Sequence, residues 1–238
     1  MTEIPDQKRI ILAADELTAD ACVLLAHRIG DRVDAIKIHN AYDYAGRALV
    51  KDLHARGARV WIDYKLHDIP NTVRLRAQAL ADAGADIITV HASGGIEMMQ
   101  AALESGIEVY AITVLTSLSE EETHLLHGQP SKAAVLNLAR QAKMAGVHGV
   151  VCSPKEVGIL SKRPELQGLK FITPGIRSAG QNADDQKRVD TPAAALKAGA
   201  HRLVIGRQIT QSQDMGTALA ELEVEIATAL VHTPNEGR

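Results

Sequence analysis

The sequence predicts a single (β/α)8 barrel spanning residues 1–238, and three observations carry that expectation. Short apolar runs rich in strand formers alternate with longer helical patterns from one end to the other, as in parallel βαβ units. The runs number eight in about 240 residues, which matches a closed barrel better than a doubly wound sheet of the same length. No composition break divides the chain, and with 46% hydrophobic residues it is long enough to bury one large core.

The strands are expected at 9–14, 35–38, 60–64, 86–90, 109–114, 149–152, 170–173 and 202–205. Between them lie amphipathic or alanine-rich helical stretches, among them 18–29, 42–56, 72–83, 131–144 and 192–198. Several end at a glycine that serves as a helix stop: Gly57, Gly84, Gly146 and Gly199. The tetrapeptides GARV, GADI, GVHG and GAHR at those glycines form a weak internal echo, since any helix-to-strand turn favours such residues.

Bulk chemistry narrows the function. A net charge of −3 provides no basic field of the kind that nucleic acid or an anionic membrane selects. Cys22 and Cys152 are the two cysteines and form no C-x-x-C pair, so reduced thiols fit better than a disulfide framework or thiolate metal site. The start MTEIPDQKRI lacks the apolar stretch of a signal peptide, and no apolar run reaches the ~18 residues of a membrane span. A cytoplasmic protein acting on a small molecule is expected, with no nucleic acid and no membrane as partners.

In such barrels the active site lies at the carboxyl ends of the strands. Charged and polar residues recur there: Asp15 after the first strand, Lys37 in the second, Asp63 and Lys65 at the end of the third, Thr116 and Ser117 after the fifth, Gly206 and Arg207 after the eighth. Asp63 and Lys65 are two apart, so in a strand they point to one side, the interior or its mouth. An isolated D-x-K is more simply a stabilising ion pair at a strand end. Lys37 and a further acid change that reading, because they allow an alternating Lys-Asp-Lys-Asp array in which each charge is compensated. Gly206 and Arg207 fit the phosphate site that barrels build from the loops after strands seven and eight, or else a plain strand-to-helix turn and a solvated surface arginine. The polar stretch 177–190, with Arg177 and Gln186, is either a surface connection or a lid over the ligand. His124 and His127 read as a solvated helix face and not a metal site. His67 and His91, near the mouth, read as structural hydrogen-bonding residues.

The motifs D-x-K-x-x-D-I-P-N-T at 63–72, H-A-S-G-G at 91–95, T-V-L-T-S at 113–117, P-G-I-R at 174–177, D-D-Q-K-R at 184–188 and G-R-x-I-T at 206–210 resemble those of the orotidine 5'-monophosphate decarboxylase family. The resemblance runs from Asp15 to about Gln211. It implies conversion of orotidine 5'-phosphate to UMP without cofactor or metal. It further implies a homodimer in which Lys37, Asp63 and Lys65 of one subunit meet Asp68 of the other, with Thr72 also reaching across the interface. Asp15 and Lys37 then contact the ribose, Thr116 and Ser117 the pyrimidine, and Arg177, Gln186, Gly206 and Arg207 the phosphate. Lys65 becomes the expected proton donor. The chain departs from the family pattern at Ala14, where leucine is usual, in the stretch from Ile38 to Asn40 through His39, where glycine is usual, and at Gln208, where proline is usual. A Mg2+-dependent sugar-phosphate barrel sharing D-x-K-x-x-D, and a silent phosphate-binding barrel, are the alternatives.

Overall fold

A computed structural model describes residues 6–178 and 190–231. The elements run β1 (Ile10–Ala13), α1 (Ala19–Ile29), β2 (Ala35–Ile38), α2 (Asn40–His54), β3 (Val60–Leu66), α3 (Pro70–Asp82), β4 (Ile87–His91), α4 (Ile96–Leu103), β5 (Glu108–Ile112), α5 (Glu120–His127), α6 (Ser131–Ala145), β6 (Gly149–Val151), α7 (Pro154–Leu160), β7 (Lys170–Thr173), α8 (Pro192–Lys197), β8 (Arg202–Ile205), α9 (Arg207–Thr210) and α10 (Met215–Val231). The strands pair in parallel and in sequence order, and β1 closes on β8. Each expected strand appears within a few residues of its expected ends. The four helix-stop glycines take positive φ, Gly57 at 78°, Gly84 at 97°, Gly146 at 86° and Gly199 at 107°, where a side chain would be strained. Helices α4, α5, α7, α9 and α10 lie outside the five stretches expected from the sequence, although α10 buries Leu219, Leu222 and Ile226. Its approach to α8 depends on packing that no local pattern encodes.

Strand alternation sorts side chains into two cores. Ile10, Leu12, Ile36, Ile38, Val60, Ile62, Ile88 and Val90 face the helices. Ile11, Ala35, Trp61, Ile87, Tyr110, Ile172 and Val204 form an apolar belt inside the barrel. Trp61 and Tyr110 meet there edge to face, centroids 5.5 Å apart.

Below the belt, at the amino ends of the strands, charges close the barrel. Asp34 pairs with Arg202 at 2.6 Å and Arg59 at 3.3 Å, while Glu108 receives Arg59 at 2.9 Å, Lys170 at 2.6 Å and the Tyr110 hydroxyl at 2.7 Å. Burial alone would raise the Glu108 pKa, but the donors from Lys170, Tyr110 and Arg59 hold it down at about 2. Above the belt the interior turns polar again, and there the pocket opens.

Candidate active site

The third strand decides the geometry of the mouth. Ile62 pairs with Ile88 and Leu66 with Val90, so Asp63, Tyr64 and Lys65 lie opposite the single residue Thr89. That bulge is accommodated by a left-handed backbone at Lys65, φ 49°, a conformation that costs a lysine about 1–3 kcal/mol. Asp63 therefore faces inward by normal alternation, whereas Lys65 reaches the same side through the bulge. The expectation that the two share a side is met by a backbone that is not regular strand. Thr89, fully buried, joins both: its hydroxyl donates to Asp63 Oδ1 at 2.6 Å and accepts the Lys65 backbone N–H at 3.1 Å. Tyr64, turned outward, donates its hydroxyl to Asp43 and lies beneath the Arg76 guanidinium, 5.3 Å from its ring centroid.

A chain of alternating charges follows. Lys65 Nζ donates to Asp63 Oδ2 at 2.8 Å, Lys37 Nζ lies 3.1 Å from the same oxygen, and Lys37 also binds the Asp15 carboxylate. The Lys37 and Asp63 side chains are each 7% exposed, while Lys65 is 34% exposed and open to the pocket. Burial opposes the charge on Lys37, but the Asp63 and Asp15 carboxylates outweigh it and raise its pKa. Burial likewise disfavours the Asp63 anion, yet Lys37, Lys65 and the hydrogen bonds from Lys65 and Thr89 hold its carboxyl well below the usual range. Removing one partner from such a set would leave a buried charge uncompensated.

The pocket has a volume of about 300 Å³. Of the residues expected at the site, Asp15, Lys37, Asp63, Lys65, Thr116, Arg177, Gly206 and Arg207 line it together. Ser117 is exposed and does not line it, Asp68 is exposed just before α3, and Thr72 is exposed in the first turn of α3. Asp68 Oδ1 accepts the Ile69 backbone N–H at 2.6 Å. Gln186 and the motif at 184–188 lie outside the described residues. Sequence reasoning missed Thr89 and gave no role to Trp61, Leu115, Pro174 and Thr210, which line the pocket, although the last three fall in the motifs at 113–117, 174–177 and 206–210. The alternation that predicted Asp63 would have found Trp61, two residues earlier on the same side.

Arg177 and Arg207 approach from adjacent loops. The β7 loop is drawn together where Arg177 N–H donates to Asp190 O at 3.0 Å and Asp190 N–H to Gly175 O at 3.2 Å. A Cβ on Gly206 would sit 3.3 Å from both Cβ and O of Ala13, so glycine lets the β8 loop press against β1. His91 and His67 lie with ring centroids 5.3 Å apart. Burial, then His67 and Lys65, lower the His91 pKa and favour its neutral form. The departures at Ala14, His39 and Asn40 leave the Lys37–Asp15 pair in place.

This mouth, with its lysines and carboxylates alternating below two arginines, is matched over residues 8–222 by the family model "Orotidine 5'-phosphate decarboxylase / HUMPS family". The chain belongs to that family. An orotidine 5'-phosphate decarboxylase of Halorhodospira halophila is 41% identical over 236 residues, covering 95% of this chain and 99% of the relative. The orotidine 5'-phosphate decarboxylase of Rhodopseudomonas palustris is 41% identical over 234 residues, 94% of this chain and 97% of the relative. The crystal structure of orotidine 5'-phosphate decarboxylase from Lactobacillus acidophilus superposes with a TM-score of 0.78 at 33% identity, covering 92% of this chain and 99% of that one. The closed barrel is thus the architecture of the decarboxylase family as well as the one the sequence predicts.

Proposed function

We propose that the chain is a cytosolic orotidine 5'-phosphate decarboxylase of de novo pyrimidine synthesis, releasing UMP and CO2 with Lys65 as proton donor and without metal or cofactor. The observation that carries this reading is the Lys65 ammonium, held 2.8 Å from Asp63 and open to the pocket. Breaking the bond between carbon six and the carboxylate leaves its electron pair on carbon six, where no adjacent carbonyl delocalises it. A preorganised ammonium stabilises the developing charge and then transfers a proton to that carbon. Lys37, compensated by Asp63 and Asp15, remains charged and supports the ribose side. The phosphate, bound by Arg177 and Arg207, supplies binding energy remote from the bond that breaks. Near-full-length identity to named decarboxylases supports the nucleotide over a sugar phosphate.

Asp68 and Thr72 are exposed in a single chain. That placement supports a homodimer in which each subunit lends them to the site of the other, completing the array beside Lys65.

The test is the loss of orotidine 5'-phosphate absorbance in EDTA, in wild type and Lys65→Ala. Metal-free turnover that falls at least a thousandfold in the variant, while UMP still binds, is the expected result, the loss of a proton donor and a charge stabiliser together being on the order of 10³-fold or more. Turnover only of a sugar phosphate with Mg2+ would transfer the assignment to the sugar-phosphate branch, and UMP binding without turnover would mark a silent barrel.

A further inference from the structure

Gln208 stands where the family pattern has proline, and its carboxamide both donates and accepts a hydrogen bond. Ser178 N–H donates to Gln208 Oε1 at 3.0 Å, Gln208 Nε2 donates to the Ser178 hydroxyl at 2.6 Å, and that hydroxyl donates onward to Glu225 Oε2 at 2.6 Å. The direction of this relay follows from its last member, because a carboxylate only accepts. The Ser178 proton therefore points to Glu225, the serine lone pairs receive the Gln208 amide, and Gln208 Oε1 is left to take the Ser178 N–H. Proline has neither the donor nor the acceptor for this arrangement.

The relay joins three segments: the loop after β7, the start of α9 and the middle of α10. Its two tied residues directly follow the pocket arginines, Ser178 after Arg177 and Gln208 after Arg207. Neither Ser178 nor Gln208 lines the pocket itself. The tie thus acts on the spacing of the two arginine-bearing loops and not on a ligand directly.

We propose that Gln208 is a positioning residue that, through Ser178 braced by Glu225, sets the separation of Arg177 and Arg207 and so the affinity of the site for a phosphorylated ligand. The inference rests on the reading of those two arginines as the phosphate grip. It makes a departure from the family pattern a working part of this chain.

Calorimetric titration with UMP and with uridine, which lacks the phosphate, tests it in wild type, Gln208→Ala, Ser178→Ala, the double variant and Arg207→Ala. One lost neutral hydrogen-bonded contact corresponds to an affinity change of about three- to tenfold. Gln208→Ala is expected to weaken UMP by that factor and leave uridine unchanged. The double variant is expected to lose no more than Gln208→Ala alone, since both substitutions break one tie. Gln208→Met, close in volume and without the carboxamide, replaces Gln208→Ala if the latter melts early. Unchanged UMP affinity, equal losses for UMP and uridine, or losses that add in the double variant would each overturn the proposal. Arg207→Ala separates the two readings. If it erases the preference for UMP over uridine while Gln208→Ala does not alter it, the tie alone falls. If Arg207→Ala leaves that preference intact, the phosphate assignment fails and the tie falls with it.

Discussion

Lys65 combines three demands in one residue: a left-handed backbone, a partly desolvated charge and access to the pocket. Thr89 meets the first two, since its hydroxyl caps the Lys65 N–H that the bulge takes out of the ladder and donates a hydrogen bond to the Asp63 carboxylate. Thr89→Val keeps the shape and removes both bonds, leaving a buried N–H and a carboxylate oxygen each short of a partner. We expect kcat to fall about ten- to a hundredfold, the equivalent of one to two such buried groups, with KM nearly unchanged, and Thr89→Ser to recover most of the loss. Steady-state kinetics of the pair decides it; a valine variant with wild-type kcat would show that the bulge holds itself. The D-x-K pattern was legible in the sequence because strand alternation is local. Thr89 was not, because its partners lie 24 and 26 residues away and become neighbours only when β3 and β4 pair.

At the level of elements, one device recurs before three of the even-numbered strands, β4, β6 and β8. Asp86 precedes β4 and accepts the Val60 N–H at 2.7 Å; His148 precedes β6 and accepts the Val109 N–H at 3.1 Å; His201 precedes β8 and accepts the Phe171 N–H at 3.0 Å. Each side chain satisfies an N–H of the preceding odd-numbered strand that the ladder leaves over. For His201 the accepting nitrogen must be unprotonated. Burial, then the charges of Arg202, Arg9 and Lys170, lower its pKa from 6.5. A histidine that binds its proton less readily when folded contributes stability that is complete above its unfolded pKa and declines as pH falls from there toward the folded value. The thermal midpoint is therefore expected to drop between pH 7 and 5, and His201→Asn, which keeps an acceptor in place but does not titrate, should flatten that part of the profile. Parallel slopes for the two proteins would assign the acid sensitivity to other groups.

For the whole molecule, the barrel separates its charges by height. Ions at the amino ends seal the bottom, an apolar belt isolates them, and the lysine and aspartate array occupies the top. The single chain leaves Asp68 and Thr72 exposed, so the reading of a shared site makes a prediction about mixtures. Lys65→Ala and Asp68→Ala proteins, each inactive alone, should recover activity when unfolded and refolded together. A twofold pair built from one of each has one site with both residues intact. With random pairing about half the dimers are mixed, each with one of two sites working, which corresponds to roughly a quarter of wild-type activity. No recovery in a mixture shown to contain mixed dimers would place Asp68 outside the catalytic array.

What the sequence determined by itself is what depends on near neighbours: eight strand periods, the glycine stops at Gly57, Gly84, Gly146 and Gly199, and the inward direction of Asp63. The strand ends also marked Asp15, Lys37, Lys65, Thr116, Gly206 and Arg207, which line the pocket together, and the family motifs added their expected roles. Tertiary structure decided how they converge. The bulge that turns Lys65 inward, the Thr89 clamp, the ionic floor between Asp34, Arg59, Glu108, Lys170 and Arg202, and the relay from Gln208 through Ser178 to Glu225 each join residues far apart along the chain. Local propensity and spacing carry no record of such pairs, because a buried polar group takes whichever partner barrel closure brings within reach, and that partner is set by the packing of the whole fold.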